Sequence, residues 1–361
     1  MSRTLMIMAG GTGGHIYPAI SVADYLREQG WQIVWLGSRA GMEARIVPPK
    51  GYVMAWIRFS GLRGKGLLRA LMLPVNLLIA CVQSASAIFT HRPDVVLGMG
   101  GYVAFPGGLM AALLRRPLVI HEQNSVAGLT NRVLARIAEQ VLMTFPNAFK
   151  NKTLSNKAQW VGNPTRGDIC GLAAPEARYG SREGALNVVV MGGSQGAAVM
   201  NDTVPRALAL LPVAARPRVT HQSGAAHIDS VRTAYAAAAV DAEILPFFDD
   251  MAARYATADL VICRAGASTV TEIANAGVAS IFVPLPWAVD DHQTTNAKFL
   301  VDRGAAILIP QAEFTPEKVA GLLRELKRDK LLGMARAARA AAKPDATKVV
   351  GDICRELAHA A

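Results

Sequence analysis

Short apolar runs alternate with amphipathic stretches along most of the chain. Leu5–Ala9 is one such run, followed by Gly10-Gly11-Thr12-Gly13-Gly14. Apolar positions then fall at Ala19, Val22, Ala23 and Leu26, the spacing of one helix face, and that helix is expected to end at Gly30. Trp31–Leu36, Val95–Leu97, Leu118–Ile120 and Val141–Met143 continue the pattern. Runs that are apolar throughout, instead of alternating, predict strands buried on both faces, hence a parallel sheet covered by helices. The second half starts the same programme again with Leu186–Met191, Gly192-Gly193-Ser194-Gln195-Gly196-Ala197 and a helix, and later strands at Leu260–Ile262 and Ser280–Val283. The repeat predicts an α/β fold of two Rossmann-like domains, residues 1–162 and 163–342, followed by a last helix within 343–361. Asn163-Pro164 is the expected hinge, because a residue before proline is held extended.

Composition fits this and adds an asymmetry. The chain has 361 residues, is 52% hydrophobic and 18% charged, and carries 32 glycines without a collagen-like period; disorder and fibrous classes are excluded. The formal net charge is +11. Residues 1–162 hold 17 Lys and Arg against 6 Asp and Glu, so all of the excess lies there, and residues 163–361 balance at 21 against 21. An anionic partner for the first half is expected: phosphate-rich ligand, nucleic acid or lipid surface. Four scattered cysteines without a C-x-x-C pair suggest neither a zinc site nor a disulfide framework, and fit a reducing cytosol. The N-terminal run is too short and glycine-rich for a signal peptide. The longest apolar stretch, Ala70–Val82, is about 13 residues interrupted by Pro74 and Asn76, against roughly 20 for a spanning helix, so no membrane crossing is expected.

Three glycine-rich turns follow strands: Gly10–Gly14, Gly98–Gly101 with Pro106-Gly107-Gly108, and Gly192–Gly196. Turns without Cβ atoms let backbone N–H groups approach a phosphate at a helix start, or simply make a tight turn. The dinucleotide fingerprint fails, since Ile16 stands at its third glycine and no acid follows Leu36-Gly37-Ser38; a G-x-x-x-x-G-K-[ST] loop is also absent. His15 falls in the first helical turn, where a cation is disfavoured; a neutral imidazole there suits a general base, or a packing histidine. Glu272 in Gly266–Glu272 is the end of a capping box, Thr269-Val270-Thr271-Glu272, or a carboxylate for ribose hydroxyls. Asp290-Asp291-His292-Gln293 is a poor metal set and a plausible polar loop for sugar hydroxyls before a helix Thr294–Asp302. Arg58–Arg69, basic, precedes the apolar Ala70–Val82, as in a segment that meets an anionic lipid surface or as a core helix with a solvated approach; Pro74 weakens a single-helix reading.

Taken in order, Gly10–His15, Gly98-Met99-Gly100-Gly101-Tyr102-Val103, His121-Glu122-Gln123-Asn124, Gly192–Gly196 and Asp290–Asn296 closely resemble the MurG family, the bacterial N-acetylglucosaminyltransferases of peptidoglycan synthesis. The resemblance runs from about residue 5 to 350. It implies a GT-B fold, two Rossmann-like domains facing each other across a cleft, with the final helix crossing back to the first. It also implies inverting transfer of GlcNAc from UDP-GlcNAc to the 4-hydroxyl of MurNAc in undecaprenyl-pyrophosphoryl-MurNAc-pentapeptide. The family implies that Arg166, Phe248 through its backbone, and Ala267, Ser268, Thr269, Val270, Thr271 and Glu272 hold uridine and ribose. Ser194 and nearby amides would bind the diphosphate, and Gln293 the GlcNAc hydroxyls. Thr12, Gly13, Gly14, His15, Tyr102 and Asn124 would face the acceptor side of the cleft, with Thr12, Gly13, Gly14 and Asn124 also reaching UDP-GlcNAc; His15 or a group near it would be the base. No metal or cofactor is called for, nucleic acid drops out as a partner, and a peripheral place on the anionic cytoplasmic face of the inner membrane follows. Two other classes share the architecture: a UDP-GlcNAc epimerase, which needs no lipid, and a non-catalytic nucleotide-sugar binding module, which releases no UDP.

Overall fold

The computed structural model describes residues 2–59, 72–149, 154, 157–193 and 195–360. The apolar runs become the strands of two sheets. In the first, β1 (Thr4–Met8), β2 (Gln32–Gly37), β3 (Val53–Trp56), β4 (Val95–Gly98), β5 (Leu118–Glu122), β6 (Gln140–Met143) and β7 (Ala158–Trp160) lie in the order β3-β2-β1-β4-β5-β6-β7. In the second, β8 (Asn187–Met191), β9 (Arg218–Gln222), β10 (Glu243–Leu245), β11 (Leu260–Cys263), β12 (Ala279–Phe282) and β13 (Ala306–Leu308) lie in the order β10-β9-β8-β11-β12-β13. Every neighbouring pair is parallel, with Leu5 opposite both Ile33 and Val95, and Met191 opposite Cys263. Leu5, Met6, Ile7 and Met8 are fully buried, as a strand covered on both faces requires.

Both sheets reverse their winding beside the first strand, β1 against β4 and β8 against β11. In such sheets ligands bind beyond the carboxyl ends of the strands at this switch point. The loops after β1, β4 and β5 in one sheet, and after β8, β11 and β12 in the other, are therefore where chemistry is expected.

The chain divides into two compact units, Met1–Arg166 with Pro344–Ala361, and Gly167–Lys343. The division falls after Arg166, whereas the sequence pattern suggested a boundary at residue 162. The last helix, Ala346–Ala360, belongs to the first unit: Val350, Cys354 and Ala358 join the core under β1 and β4, and the Tyr25 hydroxyl donates to Asp352 at 3.0 Å.

Two local expectations are corrected. Pro106, Gly107 and Gly108 are not a turn but lie inside the helix Ala104–Leu113; a Cβ at Gly107 would sit 2.3 Å from Met8 Sδ, so these small residues let the helix press onto the sheet. Pro74 does not interrupt a helix. It sits in the first turn of Leu73–His91, where its missing N–H needs no partner, and the helix continues nine residues beyond Val82. At 19 residues it is long and apolar enough to span a membrane by length and composition, although its Ala80, Ser84 and Ile88 are buried in the first unit. The basic segment before it, residues 60–71, lies outside the described residues.

Candidate active site

In the first unit, Thr12 in extended conformation precedes the helix Gly13–Glu28, and no side chain caps its start. The loop leading there is held from below by Glu43, a fully buried carboxylate that accepts from the backbone N–H of Gly11 (3.0 Å) and of Ser38 (2.9 Å). Tyr102, from the loop after β4, brings its ring against Gly11, and burial pushes its phenol up from the ordinary value. Glu122, at the end of β5, does for the next loop what Glu43 does for the first. It accepts from the N–H of Asn124 (2.9 Å) and Gly128 (3.1 Å) and from the Asn131 side chain (2.9 Å). Half-buried Asn124 is thereby fixed at the same end of the sheet.

His15, half-buried in the first helical turn, places Nδ1 3.0 Å from Gln123 Oε1. Gln123 Nε2 lies 3.2 Å from His121 Nδ1, and His121 Nε2 lies 2.8 Å from the Gly162 carbonyl. Burial depresses the His121 pKa to about 4, so this ring is neutral near pH 7. Thr12, Gly13, Gly14, His15, Tyr102 and Asn124 thus share the carboxyl end of one sheet. Arg166 closes the first unit at its junction with the second.

In the second unit, Ser194 lies outside the described residues. The loop around it is tied down by Gln222 at the end of β9: its Nε2 donates to the Gly193 carbonyl (2.8 Å) and its Oε1 accepts from the Phe248 N–H (2.9 Å). The Phe248 ring is buried, and with its N–H engaged the backbone group left to meet a ligand is the carbonyl. The helix Ala267–Ala276 starts from Gly266 without a side-chain cap. Thr269 is therefore the third helical residue, and the capping box expected at Thr269–Glu272 is not formed. Glu272 instead accepts from the hydroxyl of fully buried Tyr255 at 3.0 Å. Ala267, Val270 and Thr271 are buried, the Thr271 hydroxyl donating to the Ala267 carbonyl, and of the run the side chains of Ser268, Thr269 and Glu272 are half-buried.

Gln293 lies in the first turn of the helix His292–Val301, which begins two residues earlier than expected. Its Oε1 accepts from the N–H of Leu285 (3.0 Å) and Ala265 (3.3 Å), joining the loops after β12 and β11. That leaves the amide –NH2 as the end able to donate to a hydroxyl. Among the described residues no three His, Cys, Asp or Glu side chains are grouped to hold a metal ion.

Family comparison adds the decisive observation. Residues 5–143 match the glycosyltransferase family 28 N-terminal domain, and residues 187–350 the glycosyltransferase family 28 C-terminal domain. The chain belongs to glycosyltransferase family 28. Its two parallel sheets with their helices form the two Rossmann-like domains of the family's GT-B fold. A protein of Aromatoleum aromaticum is 60% identical over 356 residues, 99% of this chain and 98% of its own length, and one of Azoarcus sp. (strain BH72) is 60% identical over 357 residues, 99% of both. Both are named UDP-N-acetylglucosamine–N-acetylmuramyl-(pentapeptide) pyrophosphoryl-undecaprenol N-acetylglucosamine transferase. The crystal structure of Acinetobacter baumannii MurG is 41% identical and superposes with a TM-score of 0.85 over 98% of this chain and 99% of that one. A UDP-GlcNAc 2-epimerase from Neisseria meningitidis reaches a TM-score of 0.66 at 11% identity over 98% of this chain and all of that one, a likeness of fold alone.

Among the supporting residues, Glu43, Gln222 and Tyr255 stand in no motif of the sequence, while His121, Glu122 and Gln123 stand in one that by itself assigns them no role. One signal was present for three of them: the strand Leu118–Ile120 runs on into His121-Glu122-Gln123, and all three polar side chains are buried. Buried polar groups that extend an apolar strand need partners, so such a run marks an internal network.

Proposed function

We infer that the chain is an inverting N-acetylglucosaminyltransferase that moves GlcNAc from UDP-GlcNAc to the 4-hydroxyl of MurNAc in undecaprenyl-pyrophosphoryl-MurNAc-pentapeptide, in peptidoglycan synthesis. The 60% identity over essentially the whole chain to relatives of that name carries the reading. The acceptor hydroxyl attacks the anomeric carbon as its proton passes to Nε2 of His15; the new C–O bond forms as the bond to UDP breaks, and that electron pair leaves on the diphosphate. A single displacement turns the α-linked donor into a β-1,4 product. Charge on departing UDP is met by amides around Ser194 and the start of the helix Ala198–Ala209, which has no acidic side chain in its first turn.

Donor recognition falls to the second unit together with Arg166. The Glu272 carboxylate, oriented by Tyr255, takes the ribose hydroxyls. The Phe248 carbonyl faces the uracil, Ala267, Ser268 and Thr269 line the nucleoside, and the Gln293 –NH2 donates to GlcNAc. Thr12, Gly13, Gly14, Tyr102 and Asn124 receive the acceptor in the basic first unit. The helix Leu73–His91 supports a peripheral place on the cytoplasmic face of the inner membrane. It buries Ala80, Ser84 and Ile88 in the unit and exposes Val75, Leu78, Ile79, Val82 and Phe89. That stripe would enter the interface, with Arg58 and the basic residues of 60–71 meeting anionic headgroups.

The test is release of UDP by purified protein from UDP-GlcNAc with a lipid-linked MurNAc-pentapeptide acceptor. Turnover that requires the acceptor is expected; epimerised donor, or binding without UDP release, would replace this reading. His15→Ala should lower kcat by about 10²–10⁴-fold and leave the UDP-GlcNAc KM nearly unchanged.

A further inference from the structure

The polar chain behind His15 ends on a group whose role is unambiguous. A carbonyl oxygen only accepts, so the Gly162 carbonyl, 2.8 Å from His121 Nε2, requires the proton of His121 on that nitrogen. His121 is fully buried and neutral near pH 7, so it has no second proton, and its Nδ1 is an acceptor. The Gln123 carboxamide must then turn its –NH2 toward His121, 3.2 Å away, which leaves its carbonyl Oε1 toward His15. Oε1 in turn only accepts, so at 3.0 Å from His15 Nδ1 it holds a proton on that nitrogen. With His121 neutral, the heavy-atom distances and the acceptor-only nature of a carbonyl fix the amide orientation and both tautomers together.

We propose that Gln123 and His121 are positioning residues that, anchored on the Gly162 carbonyl, set the tautomer of His15 so that its Nε2 presents a bare lone pair to the acceptor hydroxyl. This rests on the assignment of His15 as the base. A wrong tautomer would aim an N–H at the hydroxyl, and proton abstraction would stop. An uncharged carboxamide achieves this without burying a carboxylate beside the reacting groups.

Gly100 completes the device. It has φ of +91°, and a Cβ there would lie 2.8 Å from His15 Nδ1 and 3.2 Å from Gln123 Oε1. The glycine of the second loop therefore leaves room for the His15–Gln123 link, a reason for its presence separate from any phosphate cradle.

The experiment is long-range ¹H–¹⁵N correlation on full-length protein with labelled histidine rings at about pH 8, with His15 assigned by loss of its signals in His15→Gln. The expected result is Nδ1–H with bare Nε2 at His15, and Nε2–H at His121. An Nε2–H tautomer at His15 in the unmodified protein overturns the proposal before any variant is made. In Gln123→Met, His15 should lose its single tautomer and kcat should fall on the order of 10²-fold, with UDP-GlcNAc KM little changed. Gln123→Glu restores an acceptor for Nδ1–H and should recover about tenfold of that loss. Equal kcat losses in the Met and Glu variants would make Gln123 merely structural and overturn the proposal. Wild-type turnover in Gln123→Met beside an inactive His15→Ala would remove the relay and leave the base in place; wild-type turnover in His15→Ala would remove the base itself.

Discussion

The two sheets share an order of strands but fix their loops by opposite means. In the first unit buried carboxylates gather backbone amides: Glu43 those of Gly11 and Ser38, Glu122 those of Asn124 and Gly128. In the second the same work falls to carboxamides: Gln222 joins Gly193 to Phe248, and Gln293 joins Ala265 to Leu285. The unit with the positive excess thus has acids under its loops, while the neutral unit carries Glu272 on the helix after β11 and braces the loop after β8, where the diphosphate is proposed to depart, with a carboxamide. A fixed negative charge there would oppose the charge that develops on the leaving group, whereas a carboxamide braces the loop at no electrostatic cost. The second unit does bury Asp259, but before the amino end of β11, between Arg182 (2.7 Å) and Arg328 (3.2 Å). Net charge of a unit therefore says little about the sign of the field at its working loops.

Asp259→Ala tests the structural end of that contrast and should have the largest effect on stability. It leaves two guanidinium groups without their shared carboxylate, and denaturant unfolding of the second unit should show a loss of about 3–5 kcal/mol. Acid should weaken both units alike. His121 in the first and His221 in the second are each lowered to about 4 by burial. Below about pH 6.5 the unfolded chain takes up protons that the folded one refuses, so stability present above that pH is lost as it falls toward about 4, on the order of 3 kcal/mol per histidine. His221→Gln should flatten this slope in urea titrations of the second unit; an unchanged slope would place the acid sensitivity elsewhere.

Gln222→Glu moves the first unit's device into the second. It removes the donor to the Gly193 carbonyl and adds a charge beside the loop, so UDP-GlcNAc affinity should fall by about 1–3 kcal/mol in a calorimetric titration. Unaltered affinity would show that the choice of carboxamide there is indifferent. The smallest effect concerns the membrane. Leu78→Glu, at a position 66% exposed on the helix Leu73–His91, should weaken co-sedimentation with anionic vesicles about tenfold. Turnover on a water-soluble acceptor analogue should not change, and neither should release from vesicles by high salt, since a peripheral protein is released and a spanning one is not.

Where local pattern and structure disagree, the disagreement has a common cause. Thr269–Glu272 has the spacing of a capping box, yet the helix begins earlier, at Ala267 after Gly266, and the chain reaches it from β11 through Arg264 and Ala265, whose groups are claimed by Val283, Pro284, Gln293 and Asn296. Pro74 reads as a break in an apolar run and is in fact a helix start. His15 was marked by its place beside a glycine turn, but nothing local singles out Gln123, 108 residues away, as the group that holds it.

Alternating apolar runs, glycine turns and their repetition were enough to determine two doubly wound parallel sheets and the loops that matter, because strand burial and tight turns are local properties of the chain. The motifs in those loops, read together, identified the family. Which proton His15 carries, which oxygen of Glu272 is engaged, and which acids and amides brace each loop were decided only by the tertiary structure. Those facts depend on donors and acceptors far apart in sequence, each of which must find a partner once folding takes it out of water.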